Sequence, residues 1–287
     1  MSAPSKKRTS AASSTIPGQV SKEPSSPPIS KEPDVLANKV VVDEPAPTIA
    51  DVVENVAGVY KVRIDRSESY FSQRNNSIDP VGTCMPTSAV AALTYGNFNL
   101  EHLKGKHAQP EDALTYFMRH DPAVLAKFKE WYPADAARGL MPNEFHEVVA
   151  FAINLWLGAN VDTLSTGASL QKLAFHLLKG RPAFASGKWP CFFPSTQTVG
   201  VIGHVVCFVG FDTLQSTIGS VEVESEIDIA QITKIIIDDP YGDFHTKYTS
   251  VKGNDVEMTI AEYTAIIREP TLQRKLIHFL KRADEVA

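Results

Sequence analysis

Gln73, Cys84, His204 and Asp239 are the residues of this 287-residue chain whose types and surroundings point to chemistry. Cys84 follows a Gly82-Thr83 turn and opens an apolar run through Tyr95, with Pro86 near its start. The run reads as a helix, with Thr83 at the cap position and Pro86 in the first turn, where a missing N–H costs little. A helix start favours negative charge, so a thiolate is stabilised there, and the unpaired N–H groups can hold an oxyanion forming beside the sulfur. Taken alone, the cysteine also reads as an inert buried thiol. His204 opens the apolar run His204-Val-Val-Cys-Phe-Val-Gly-Phe211, which places an imidazole at the mouth of a strand. Asp238-Asp239-Pro240 ends the next strong strand, and one of its carboxylates can accept a hydrogen bond from the imidazole and fix its tautomer. Strand alternation lets only one of the two point inward. Gln73, eleven residues before Cys84, can donate its side-chain amide to an oxyanion. Each feature has a structural reading of its own; a turn explains Asp-Pro-Tyr-Gly equally well. Together they make a Cys–His–acid arrangement with an amide donor.

The elements that must position these groups come in two textures. Residues 83–157 look mainly helical. A second helix is signalled by Pro110-Glu111-Asp112 and a third by Pro142-Asn143-Glu144, whose apolar residues Phe145, Val148, Val149, Ala152 and Ile153 recur at helical spacing until Gly158. A helix over Ser169–Lys179 ends at Gly180. The short β-branched runs Ala183–Ser186, His204–Phe211, Val221–Val223 and Ile232–Ile237 then read as strands. Helices over Ile260–Ile267 and Leu272–Leu280 close the chain, and Asp51–Val59 reads as a short helix-like lead-in. Helices first and strands second predict an α+β domain with segregated layers.

Composition divides the chain further. Residues 1–50 hold eight of the nineteen prolines and nine serines, with no aromatic residue before Tyr60. Such a segment cannot offset the entropy of ordering its backbone. Residues 1–55 are therefore expected to be a disordered Pro/Ser-rich tail or linker, suited to tethering to a larger assembly, and 56–287 a single domain. With 28 Lys+Arg against 33 Asp+Glu the net charge is −5, and no basic stripe marks a nucleic-acid partner. No apolar run approaches the roughly 18 residues of a membrane span, and no apolar segment follows the basic N-terminus as a secretory signal would. Three cysteines without CxxC spacing suggest neither a disulfide scaffold nor a zinc site, and fit a reducing compartment.

The stretch Gln73-x-Asn75 … Gly82-Thr83-Cys84-Met85-Pro86-Thr87-Ser88 resembles papain-like cysteine peptidases, in particular the bacteriocin-leader (double-glycine) peptidases and their stand-alone relatives. The resemblance continues through Leu177-Leu178-x-Gly180-Arg181-Pro182, Gly203-His204-Val205-Val206 and Ile236-Ile237-x-Asp239-Pro240-Tyr241-Gly242, covering about residues 68–245. It implies a papain-like fold, with a central helix headed by the cysteine and a C-terminal antiparallel sheet. It also implies Cys84 as nucleophile, His204 as base, Asp239 as the residue orienting the imidazole, and Gln73 as oxyanion donor, with no metal or organic cofactor. Met85 stands where such motifs often have glycine, and is expected to crowd the cleft or alter preference. Cys207 reads as structural. Cys191 reads as part of a cleft-lining loop, with Trp189 and Phe192 as candidate substrate contacts. His146, His176 and His245 have no partner set that suggests metal. The expected activity is amide hydrolysis through a thioester, on a peptide or protein. The alternatives are the peptide part of peptidoglycan, in a lytic enzyme of bacterial or phage origin, and a catalytically silent papain-like binding or structural module. Acyl transfer to an amine differs only in the second nucleophile. A cytoplasmic or virion-associated location fits the absence of a signal.

Overall fold

The computed structural model describes residues 52–64, 70–193, 195–267 and 276–286. It is an α+β arrangement of helices and one antiparallel sheet. The chain enters through two short strands, β1 (Val52–Val56) and β2 (Val59–Arg63), joined by Ala57-Gly58 with both residues at positive φ. The lead-in expected to be helix-like is thus a hairpin, and β1 lies mostly inside the stretch assigned to the tail. Its Val-rich alternation suits a strand, and the Ala-Gly pair supplies the tight turn. The rest of the expected tail lies outside the described residues.

The helical part follows: α1 (Cys84–Tyr95), α2 (Pro110–His120), α3 (Pro122–Trp131), α4 (Pro133–Ala137) and α5 (His146–Leu157). Prolines stand at or near the starts of α2, α3 and α4, where the absent N–H costs nothing. Pro142–Glu144 forms a separate 3₁₀ turn, so the third expected helix begins only at His146. Gly158 ends α5 in the left-handed conformation, as its position in the sequence implies. Apart from Cys84 and Thr94, every residue of α1 is buried, so it is a central helix rather than an amphipathic surface one. Its small residues Ala89, Ala91 and Ala92 allow close approach to the sheet, and the Ser88 hydroxyl donates to the Val205 carbonyl at 3.0 Å.

Among the described residues the sheet has eight strands. After β3 (Asp162–Thr166) and α6 (Leu170–Leu178), the long strands β4 (Ala183–Phe193) and β5 (Thr198–Thr213) form a hairpin that continues past the sheet. β6 (Ile232–Asp238), β7 (Val256–Thr259), α7 (Ile260–Ile266) and β8 (Leu276–Leu280) complete the fold. The strand order is β1-β2-β5-β4-β8-β3, with β6 on β5 and β7 on β6, all antiparallel.

Two further expectations are overturned. Leu276–Leu280, read as part of a helix, is a wholly buried strand inserted between β3 and β4. A short apolar run fits a fully buried strand and a helix equally well by periodicity. The preceding residues of that expected helix lie outside the described ones. Val221–Val223 lies between two 3₁₀ turns, Ile218–Ser220 and Glu224–Glu226, and is not a strand. Its flanking Ser and Glu residues favour turns instead. Among the described residues no helix is long and apolar enough to cross a membrane.

Candidate active site

Cys84 is the first residue of α1 and is only partly buried. Thr83 occupies the cap position, but its hydroxyl donates to the Asp79 carbonyl (2.7 Å) and does not cap the helix as expected. Among the described residues no side chain caps α1, which leaves its leading N–H groups beside the sulfur available to another acceptor. The loop before Cys84 is held from two sides. Asp79 accepts from the backbone N–H groups of Val81 and Gly82 and pairs with Arg119 of α2 at 2.7 Å. The Arg119 bond holds the Asp79 carboxyl below the usual carboxylate range. Asn143 donates to the Gly82 carbonyl (3.1 Å) and accepts from the same Arg119 (2.8 Å). Met85 is buried in the core cluster, so it packs inward instead of crowding the cleft.

His204 lies on β5 opposite Gly187 of β4, and alternation puts Trp189 and Cys191 on the same face. Its ring is 3% exposed, and Nε2 stands 2.6 Å from Asp239 Oδ1. With Nε2 committed to the carboxylate, Nδ1 is the ring atom left for the Cys84 side chain, which lies within hydrogen-bonding reach. Complete burial works against the charged imidazole. The Asp239 charge and hydrogen bond, aided by Cys84, outweigh it and push the His204 pKa up to about 10. Trp189 is fully buried, donates its indole N–H to the His204 carbonyl (3.1 Å) and meets the ring edge-on. The tryptophan read as a substrate contact is therefore a support beneath the histidine.

Asp239 and Asp238 part company, as strand alternation requires. Asp239, 0% exposed, turns to His204 and also accepts the Tyr241 N–H at 2.9 Å. Asp238 takes the Tyr95 hydroxyl and the Asp255 N–H instead. The Asp239 backbone is pinned as well: its N–H donates to the Gly253 carbonyl (2.7 Å), and the Tyr70 hydroxyl donates to its carbonyl. Gly253 has no room for a side chain, since a Cβ there would lie 2.0 Å from the Asp239 carbonyl oxygen.

Gln73 begins the 3₁₀ turn Gln73–Asn75 and links the two halves of the site. Its backbone N–H donates to the Pro240 carbonyl (2.9 Å), while its side-chain nitrogen donates to the carbonyls of Val81 (2.9 Å) and Pro80 (3.3 Å). The amide thus reaches the loop that leads into Cys84. The longer bond, to Pro80, is the one that a competing acceptor displaces most readily.

Four further side chains complete the surroundings. Arg74 lies over the Tyr241 ring (4.0 Å) and donates to the carbonyls of Tyr241 and Tyr248. Tyr241 stands within a motif stretch and Tyr70 three residues before one, but nothing local marks their roles. Tyr248 carries no sequence signal at all, because only the fold brings it to His204. Cys191 is buried, which pushes its thiol up, and Cys207 is enclosed in β5. Phe192 lies half-buried on the other face of the hairpin.

His146, His176 and His245 are engaged elsewhere. His146 pairs with His278 (2.9 Å), which bonds to Asp162 (2.6 Å); His176 bonds two carbonyls; His245 pairs with Asp243 and Glu262. Among the described residues no group of three or more His, Cys, Asp or Glu is arranged to hold a metal ion.

No family model, curated protein or solved structure matches the chain. What the site can do therefore rests on its own geometry. A thiol at an uncapped helix start meets an imidazole fixed by a buried carboxylate. This arrangement supplies a nucleophile, a proton carrier and N–H donors for a developing negative charge.

Proposed function

We propose that the chain is a cysteine peptidase of papain-like architecture, cleaving amide bonds through a thioester intermediate. The observation that carries this reading is the buried 2.6 Å His204–Asp239 pair in contact with the Cys84 side chain at an uncapped helix start. Taking an imidazolium and a carboxylate out of water costs several kcal/mol per ion, and an apolar pair would stabilise the fold as well or better. Keeping the pair beside a half-exposed thiol has a use in chemistry and little use in packing.

The steps follow from the positions. Protonated His204 provides the counter-charge for a Cys84 thiolate. The thiolate attacks the amide carbonyl, whose oxygen becomes an oxyanion held by N–H groups at the start of α1. Gln73 adds its side-chain N–H by giving up the long bond to Pro80. As the C–N bond breaks, His204 transfers its proton to the leaving amine, and the acyl group remains on sulfur. Neutral His204 then takes a proton from water, whose oxygen attacks the thioester, expelling the thiolate and releasing the acid. Asp239 holds the ring in place throughout.

Incubation of the full chain with an unfolded protein and, separately, with purified peptidoglycan tests the reading. Fragments with new amino termini are expected from the protein, and none from the Cys84→Ala variant. New amino groups from peptidoglycan alone would make it a wall-lytic enzyme. No cleavage of either, together with an unreactive Cys84, would leave a binding module.

A further inference from the structure

Tyr248 stands against the His204–Asp239 pair without a place in the chemistry described so far. Its ring meets the imidazole edge-on, with centroids 5.6 Å apart, and it packs on Tyr241 at 5.3 Å. Asp239 uses only Oδ1, for both His204 and the Tyr241 N–H; its Oδ2 is buried and has no hydrogen-bond partner among the described residues. The Tyr248 hydroxyl is buried and unpartnered as well, and it faces the Asp239 carboxylate closely enough to interact with it. One of the two groups is a donor and the other an acceptor, and a buried polar group left unmade costs roughly 1–3 kcal/mol.

The backbone that delivers this ring is strained. Lys247 and Tyr248 are consecutive non-glycine residues at positive φ, 56° and 65°. Residues with side chains rarely take this conformation, and it persists where the surroundings impose it. Arg74 supplies part of that imposition, donating to the Tyr248 carbonyl while stacking on Tyr241. The strained turn carries the tyrosine to the one unused oxygen of the carboxylate.

We infer that Tyr248 is a positioning residue, donating its hydroxyl to Asp239 Oδ2 so that Oδ1 stays aimed at His204. The site is then a chain of four side chains, Cys84–His204–Asp239–Tyr248. The inference rests on the peptidase reading for its use, but its test needs no substrate. Burial, followed by the Asp239 charge, raises the Tyr248 hydroxyl above the usual tyrosine range, so it remains a donor wherever the site works.

The test is the pH dependence of Cys84 alkylation by iodoacetate in the full chain, as wild type, Tyr248→Phe and His204→Ala. Iodoacetate is an anion, so its reaction with the thiolate is favoured while the imidazolium is present. In Tyr248→Phe the carboxylate is free to rotate and its bond to the imidazole weakens. The alkaline limb is then expected to move down by about one pH unit, tenfold in proton affinity. An unchanged Tyr248→Phe profile beside an altered His204→Ala profile overturns the role of Tyr248 and leaves the ion pair standing. An unchanged His204→Ala profile overturns the ion pair and, with it, the role of Tyr248. A second measurement needs no variant to fold well: in the wild-type chain the Tyr248 hydroxyl proton is expected to exchange slowly enough to be seen by NMR. Its rapid exchange in the folded protein would contradict the inference.

Discussion

Neighbouring residues on a strand point to opposite faces, and at the end of β6 this gives two adjacent carboxylates different work. Asp239 faces His204, whereas Asp238 anchors Tyr95 of α1 and the Asp255 N–H. Replacing them one at a time should separate activity from stability. Asp239→Ala is expected to lower kcat by about 10²-fold or more with little change in KM, because it removes the partner that holds the base. Asp238→Ala is expected to keep most activity and to lose about 1–3 kcal/mol of stability, read by urea unfolding, because buried donors lose their acceptor. The reverse pattern would reassign the two roles. Two of the residues read as reactive are legible because they sit at element boundaries, Cys84 where a helix starts and Asp239 before a proline. His204 is marked by the apolar run that follows it, although β5 begins six residues earlier, at Thr198, so it lies within the strand and not at its mouth. Trp189 reads as a substrate contact because the stretch around Cys191 looks like a cleft-lining loop, and only its place in β4 and the register Trp189↔Ile202 show which face it takes. Tyr248 and Arg74 were invisible, since their contacts cross long stretches of chain and leave no local pattern.

At the scale of elements, the site is assembled where α1 lies along β5 and where the turn after β6 meets the segment carrying Gly253. The Ser88–Val205 bond ties the helix one turn below Cys84 to the residue next to His204. Ser88→Ala is expected to lower the melting temperature through about 1 kcal/mol, as one buried carbonyl loses its donor. Gly253→Ala acts differently, because the new methyl must displace the Asp239 backbone. The expected result is a loss of activity on the order of 10²-fold in a protein that still folds, by circular dichroism, since small displacements at a reacting site are expensive. Normal activity in Gly253→Ala would show that Asp239 tolerates movement. The elements themselves were partly legible. Gly158 and Gly180 end their helices as expected, each taking a positive φ that other residues resist. β8 was not legible, because a buried apolar pentapeptide between two strands carries no alternation.

For the molecule as a whole, two kinds of buried histidine set opposite limits on pH stability. His204 has its pKa raised to about 10, so its contribution is complete below the unfolded value near 6.5 and is lost as pH rises through 10. Burial lowers His146 to about 3 and His176 to about 4, so both are neutral in the fold. The unfolded chain binds protons that these two exclude, and stability falls as pH drops from about 6.5 towards 3. Denaturant midpoints across pH are therefore expected to peak near neutrality, with the alkaline decline removed in His204→Ala. The same whole molecule carries its own control for the central claim, because its three cysteines differ in setting: Cys84 partly buried beside His204, Cys191 and Cys207 buried. The most direct measurement is to treat the intact chain at neutral pH with a peptide chloromethyl ketone and to map the adduct by mass spectrometry. The expected result is a single adduct on Cys84, formed at least about tenfold more slowly in His204→Ala. Adducts on Cys191, or labelling of Cys84 at the same rate without His204, would contradict it.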